Sequence, residues 1–311
     1  MLRRDLVLGA GALVLPATLP PRRAAAQTPA PPPAFHRTRI GDVEVVVLSD
    51  GAAGRPDVTQ GFVLNAPAEE VRALLAGQGI APTGLRNPYN PTLLRRGADV
   101  VLIDTGRGGA GGGVLFDSMR AAGIEPEEVT VVLLSHFHGD HVGGMLAADG
   151  TATFRNARVL APERELAFWN DEGEESRASA FRRPGFAFAR RCLAPYAGRI
   201  APFARDAEVL PGLRSVATPG HSPGHVSFLL ADGTRQLMVM GDVVGAAELF
   251  LPMPAWQPML DMDPALAAET RMRLLDRLAA DRIEVIAFHW PMPSTGRVER
   301  AGAGYRFIPA A

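Results

Sequence analysis

A chain of 311 residues, 47% of them hydrophobic, holds enough apolar material for one large core or two small ones. Its net charge of −1 denies it the basic field that would recruit nucleic acid or an anionic membrane surface. All 32 basic side chains are arginine, which excludes Schiff-base lysine chemistry and a phosphate loop's lysine; the single cysteine, Cys192, excludes an intrachain disulfide and a thiolate metal cluster.

At the N-terminus, Arg3 and Arg4 precede an apolar run from Leu6 to Leu15, and Ala24, Ala25 and Ala26 offer a small-residue cleavage site. Residues 1–26 resemble a twin-arginine export signal, which implies a periplasmic or secreted destination. The apolar run is too short to span a bilayer and Pro16 and Pro20 interrupt it, so no stable membrane insertion is expected. Residues 27–36 read as a proline-rich linker, with His36 as a surface residue at its end, and residues 37–311 as one folded domain.

Within that domain, GDVEVVVLSDG (41–51) and ADVVLIDTG (98–106) read as buried strands ending in Asp/Gly turns. The stretch between them, 52–92, is loop-rich, with a helical patch at Ala68–Leu75. Leu115, Ser118, Met119 and Ala122 fall at helical spacing before the stop at Gly123. Further strands are predicted at 129–134, 157–162, 213–220, 226–230, 235–242 and 284–290. Helices are predicted at 163–169, within 175–194, and at 264–280, the last capped by Asp263 with Pro264 in its first turn. The glycines at 108–113 lack the GK[ST] of a phosphate loop and read as a flexible connection, and Cys192 reads as a small core residue.

Residues 135–144, SHFHGDHVGG, place His136, His138, Asp140 and His141 on the loop leaving a buried strand. His221 in TPGHSPGH, Asp242 in MVMGD and His289 in AFHWP also lie at predicted strand ends, where side chains from separate strands can converge. Six of the seven histidines thus fall in three short segments. Imidazole and carboxylate suit first-row divalent metals, and two such ions need about six protein ligands besides water.

HFHGDH, GHSPGH, GD and FH, in this order, resemble the metallo-β-lactamase-fold hydrolases with their HxHxDH motif. LSDG, DTG, HVGG, ELAFW and the terminal GYRFIP make the likeness strongest to the methyl parathion hydrolase and acyl-homoserine lactonase branch. The resemblance implies an α/β fold, an αβ/βα sandwich of two mixed β-sheets flanked by helices, and often a homodimer. It implies that His136, His138 and His221 hold one divalent ion, that Asp140, His141 and His289 hold a second, and that Asp242 bridges both. Zinc is the first expectation; iron, cobalt and manganese accept the same donors. Asp104 and His225 are expected to orient these ligands, the alternative for His225 being a buried histidine that ties the GHSPGH turn. A hydroxide between the ions is the expected nucleophile, with Asp140 as the catalytic carboxylate.

Trp169, in ELAFW, matches a position where the resemblance places an aromatic, so Phe168 and Trp169 are candidate pocket walls, with helix packing as the alternative. Related phosphotriesterases carry an aromatic in the loop after DTG, whereas this chain has RGGAGGG. That departure points to a small-molecule ester or lactone as substrate, with a phosphotriester as the nearest alternative. A β-lactam fits less well, because Asp242 stands where those enzymes use cysteine or serine. An oxygen-reducing di-iron role is disfavoured by His138 in place of a glutamate, and a closed structural zinc site takes only four ligands.

Overall fold

The computed structural model describes residues 34–310; the expected signal at 1–26 and linker residues 27–33 lie outside the described residues. A hairpin of β1 (Phe35–Ile40) and β2 (Val43–Leu48) is followed by a short ribbon of β3 (Ala52–Gly54) with β4 (Arg86–Pro88). The sheet continues from β2 through β5 (Thr92–Arg96), β6 (Asp99–Ile103), β7 (Val131–Leu133), β8 (Arg158–Pro162) and β9 (Ile200–Phe203), antiparallel as far as β6 and parallel beyond it. A second sheet runs β10 (Glu208–Leu210), β11 (Leu213–Ala217), β12 (Val226–Asp232), β13 (Arg235–Val239), β14 (Glu284–Ile286), β15 (Thr295–Ala301) and β16 (Gly304–Pro309). In it only β13 and β14 pair in parallel.

Both faces of each sheet are covered, which explains strands that are apolar at every position. Val45, Val47, Val101, Ile103, Val131 and Leu133 face Val226, Phe228, Leu237, Val239 and Ile286 of the second sheet, forming the layer between the sheets. The alternate residues Val46, Leu48, Leu102, Val132 and Leu134 turn outward into a separate core. The helices are α1 (Ala68–Gly77), α2 (Leu115–Ala121), α3 (Gly139–Val142), α4 (Glu163–Trp169), α5 (Glu172–Arg177), α6 (Arg183–Leu193), α7 (Ala247–Phe250) and α8 (Pro264–Asp281). Residues of α2, α4 and α6 close the outer core of the first sheet, and residues of α1, α7 and α8 close that of the second. This is the expected αβ/βα sandwich.

Several boundaries differ from the sequence reading. β1 takes in Phe35 and His36, expected in the linker, because pairing with Leu48 and Val47 extends the hairpin upstream. The strand predicted at 284–290 stops at Ile286 and leaves His289 on a turn. β9, β15 and β16 were not anticipated; β15 reads TGRVERA, whose charged residues face solvent while Val298 is buried. Cys192 is fully buried, and burial pushes its thiol up to about 11, as suits a packing residue. Among the described residues, no helix is long and apolar enough to cross a membrane.

Candidate metal centre

The parallel strands β6, β7, β13 and β14 deliver their following residues to one edge, the usual place for a site in such sheets. Asp104 follows β6, His136 and His138 follow β7, Asp242 follows β13, and His289 follows β14; α3 supplies Asp140 and His141, and the turn between β11 and β12 supplies His221. Three overlapping groups result: His136 with His138 and His221; His136 with His141 and Asp242; and Asp140 with His141 and His289. Within each group the potential ligand atoms lie within 4.8 Å of one another.

The hydrogen bonds behind these side chains fix the chemistry in front. His141 Nδ1 donates to Asp104 Oδ2 at 2.8 Å, His221 Nδ1 to Asp261 Oδ1 at 2.9 Å, and His289 Nδ1 to the Pro88 carbonyl at 2.8 Å. A neutral imidazole so committed presents the lone pair of Nε2 on its other side. All three lone pairs face Asp242: His141 Nε2 is 3.1 Å from Oδ1, and His221 and His289 Nε2 are 3.2 and 3.0 Å from Oδ2. Lone pairs aimed at a carboxylate repel unless a proton or a cation lies between them. His141 Nε2 and Asp242 Oδ1 are buried and form no hydrogen bond with acceptable geometry. A divalent ion satisfies that need, so the donor set fits a metal.

The electrostatics of these side chains express the same strain. Burial alone would lower His141, but the Asp242, Asp104 and Asp140 carboxylates outweigh it and hold its pKa well above the ordinary imidazole value. His221, likewise buried but facing Asp242 and Asp261, is pushed up to about 9. His136 and His138 are held well below the ordinary value, by burial first and by neighbouring imidazoles second. Asp242 would be raised by burial, yet the surrounding His289, His141 and His221 hold it well below the usual carboxylate range.

Asp104 sits with φ of 59°, a left-handed conformation that Asp tolerates better than most residues. Its carboxylate accepts from Ser135 N at 2.8 Å and Ser135 Oγ at 2.7 Å as well as from His141, so it ties the end of β6 to the histidine loop. His225 is not aimed at the same point. Its Nδ1 faces Thr218 Oγ1 at 2.8 Å and its Nε2 accepts from Asp242 N at 3.0 Å. Burial first, then the nearby His221, lowers it to about 3, so it stays neutral and holds the backbone of Asp242 in place.

Asp140 is the partly open member, with a side chain 28% exposed and Oδ2 lying 3.5 Å from His289 Nε2. It borders a cleft of about 250 Å³ that also touches His138, Trp169, His221, Asp242 and His289. Trp169 meets His138 edge-on, with centroids 5.8 Å apart. Phe168, expected as a pocket wall, does not line this cleft; it turns the other way and packs against Trp169 and Phe186 in the outer core. The two residues are adjacent on a helix and cannot face the same way.

Two carboxylates important to the site escaped the sequence reading. Glu165 is fully buried and accepts four hydrogen bonds, from Phe137 N, Trp169 Nε1, Ser222 Oγ and Gly224 N, at 2.6 to 3.1 Å. Its pKa is raised by burial even against those four donors. Asp261 backs His221 and is itself paired with the buried Arg271 at 2.8 Å. The Glu of ELAFW was visible as part of a quoted motif, whereas nothing local marks Asp261.

Residues 85–289 match the family model described as the metallo-beta-lactamase superfamily. The chain belongs to the metallo-beta-lactamase superfamily. Among curated relatives, the N-acyl homoserine lactonase AiiA of Bacillus thuringiensis subsp. kurstaki is 28% identical over 161 residues, 51% of this chain and 55% of that protein. Metallo-beta-lactamase domain-containing protein 1 of Xenopus laevis is 31% identical over 190 residues, 58% of this chain and 64% of that protein. The chain therefore spans a little over half the length of the curated relatives it matches. Among solved structures, the hydrolase AbOPH of the beta lactamase superfamily superposes with a TM-score of 0.84 at 26% identity, over 90% of this chain and 98% of that one. AidC, described as a dizinc quorum-quenching lactonase, gives 0.83 at 23% identity over 89% and 98%, a likeness of fold.

Proposed function

We propose that this superfamily member is a metal-dependent hydrolase that opens a lactone or cleaves an ester at a centre of two divalent ions. His136, His138 and His221 would hold one ion, Asp140, His141 and His289 the other, and Asp242 would lie between them. The observation that carries the reading is the set of three imidazole Nε2 lone pairs directed onto one buried carboxylate. Zinc is the first expectation, supported by the donor set and by the dizinc description of AidC. Bound ions would supply Lewis-acid polarisation of the scissile carbonyl and acidify a water.

The chain's own residues do the rest. Asp140 is the open carboxylate at the cleft, placed to take the proton from the attacking water and to return it to the leaving alkoxide. His225 and Asp104 keep Asp242 and His141 in register, so the site is organised before substrate arrives. Phe181, 68% exposed, forms with Leu260 and Met262 an apolar rim to the cleft, suited to an acyl chain. The lactonase descriptions of AiiA and AidC support the same substrate class.

A second reading, hydrolysis of an aryl phosphotriester by the same centre, is favoured by the aromatic lining of Phe62, Trp169, Phe181 and Phe250. The two are separated by the ratio of kcat/KM for an acyl-homoserine lactone to that for a dimethyl aryl phosphotriester, on protein holding two metals per chain. A ratio well above one is expected; a ratio well below one makes the phosphotriester the proper substrate.

A further inference from the structure

The described residues contain two arginines at least nine-tenths buried, and they are held very differently. Arg271 is 1% exposed, and each of its nitrogens has an acceptor: Nε the Val243 carbonyl, Nη1 the Pro254 and Trp256 carbonyls, and Nη2 the Asp261 carboxylate at 2.8 Å. Arg55 is 9% exposed and lines the cleft beside Asp242 and His289. Its Nη2 donates to Asn87 Oδ1 and to the Gly245 carbonyl, while Nε is buried without any partner. Nη1 takes part in none of the described hydrogen bonds, and no carboxylate forms an ion pair with Arg55 among the described residues. The guanidinium is stacked on Phe62, 5.1 Å from the ring centroid, so it is fixed in direction as well as in charge.

A cation removed from water without a counter-ion is costly, and proteins tolerate it chiefly where a ligand completes it. Burial also lowers the Arg55 pKa, the direction expected for a guanidinium deprived of solvent; the Asp242 and Glu248 charges, which form no ion pair with it, compensate only in part. A neutral carbonyl could occupy one donor but would leave the charge unanswered.

We propose that Arg55 is a substrate-positioning residue that receives a carboxylate carried by the ester or lactone at a distance from its scissile carbonyl. The inference rests on the hydrolase reading above and narrows its substrate class to anionic acyl compounds. The metal-binding groups would then meet the reacting carbonyl, and the fixed guanidinium in the same cleft would meet the substrate's own anion.

The test compares mono-4-nitrophenyl adipate with 4-nitrophenyl hexanoate, esters of equal chain length that differ in one terminal carboxylate. On zinc-loaded protein, kcat/KM for the adipate is expected to exceed that for the hexanoate at least about tenfold, the scale of one charge-assisted hydrogen bond. In Arg55→Met the ratio falls to near one, and Arg55→Lys restores part of it. If Arg55 only staples Asn87 to Gly245, both esters lose rate together and the ratio persists, which overturns the proposal; so does a ratio near one in the unaltered protein. Binding of adipate and hexanoate, measured by calorimetry on the same zinc-loaded chain, reads the anion site without turnover. Adipate binding about tenfold tighter supports the site even where neither ester is hydrolysed, an outcome that sinks the hydrolase reading alone, and equal binding overturns the site whether or not the variants fold.

Discussion

The two walls of the cleft are built on opposite plans. On the metal-binding wall four of the five imidazoles are fixed from behind, His136 by Ser135, His141 by Asp104, His221 by Asp261 and His289 by the Pro88 carbonyl, while His138 Nδ1 faces only His136 and His221. The substrate wall is apolar and looser, with Phe181 and Leu260 exposed at its rim and Arg55 as its one buried, incompletely partnered charge. The proposed reacting groups thus sit on segments braced by hydrogen bonds, and the proposed selectivity on apolar segments that could vary without disturbing them.

The comparison can be broken most severely at Asp140. Asp140→Asn keeps size and one coordinating oxygen but removes the base, so kcat for a lactone should fall by roughly a thousandfold while metal analysis still finds the ions. Activity near that of the unaltered protein would remove Asp140 from the reaction. Asp104→Asn probes the support behind the ligands. Asparagine accepts the left-handed backbone at this position, so the loss should be specific: about 10- to 100-fold weaker zinc affinity, read by competition with a chromophoric chelator. Unchanged affinity would show that Ser135 and packing alone fix His141. The smallest effect is expected at Glu165. Glu165→Gln sets an amide group against donors that a carboxylate accepted, leaving one or two buried donors unpaired and lowering stability by about 2 kcal/mol, measured by urea unfolding. A variant as stable as the parent would mean that the two histidine loops do not depend on this carboxylate.

How much of this was legible in sequence follows the same division. The reacting wall could be read because its residues are concentrated: four candidate ligands lie within six positions, and the others follow β-branched runs that end in Asp/Gly or His/Pro turns. The double-faced burial of the strands was visible as uninterrupted apolar stretches. What was hidden depends on contacts between segments far apart in the chain. Asp261 is 40 positions from His221 and Glu165 is 57 from Ser222, distances over which no local pattern survives. Arg55, in a loop of ordinary composition, acquires meaning only because folding buries it without an ion pair among the described residues. Phe168 and Trp169 looked equivalent in sequence; both pack in the outer core, but only Trp169 also reaches the cleft, edge-on to His138.

The most direct test of the dinuclear centre is a zinc titration of chelator-stripped protein, followed by turnover of an acyl-homoserine lactone. The arrangement around Asp242 predicts negligible activity without metal and a rise that saturates at two equivalents per chain. Full activity in the stripped protein, a plateau at one equivalent, or zinc bound at two equivalents with no turnover of lactone, ester or phosphotriester would contradict it.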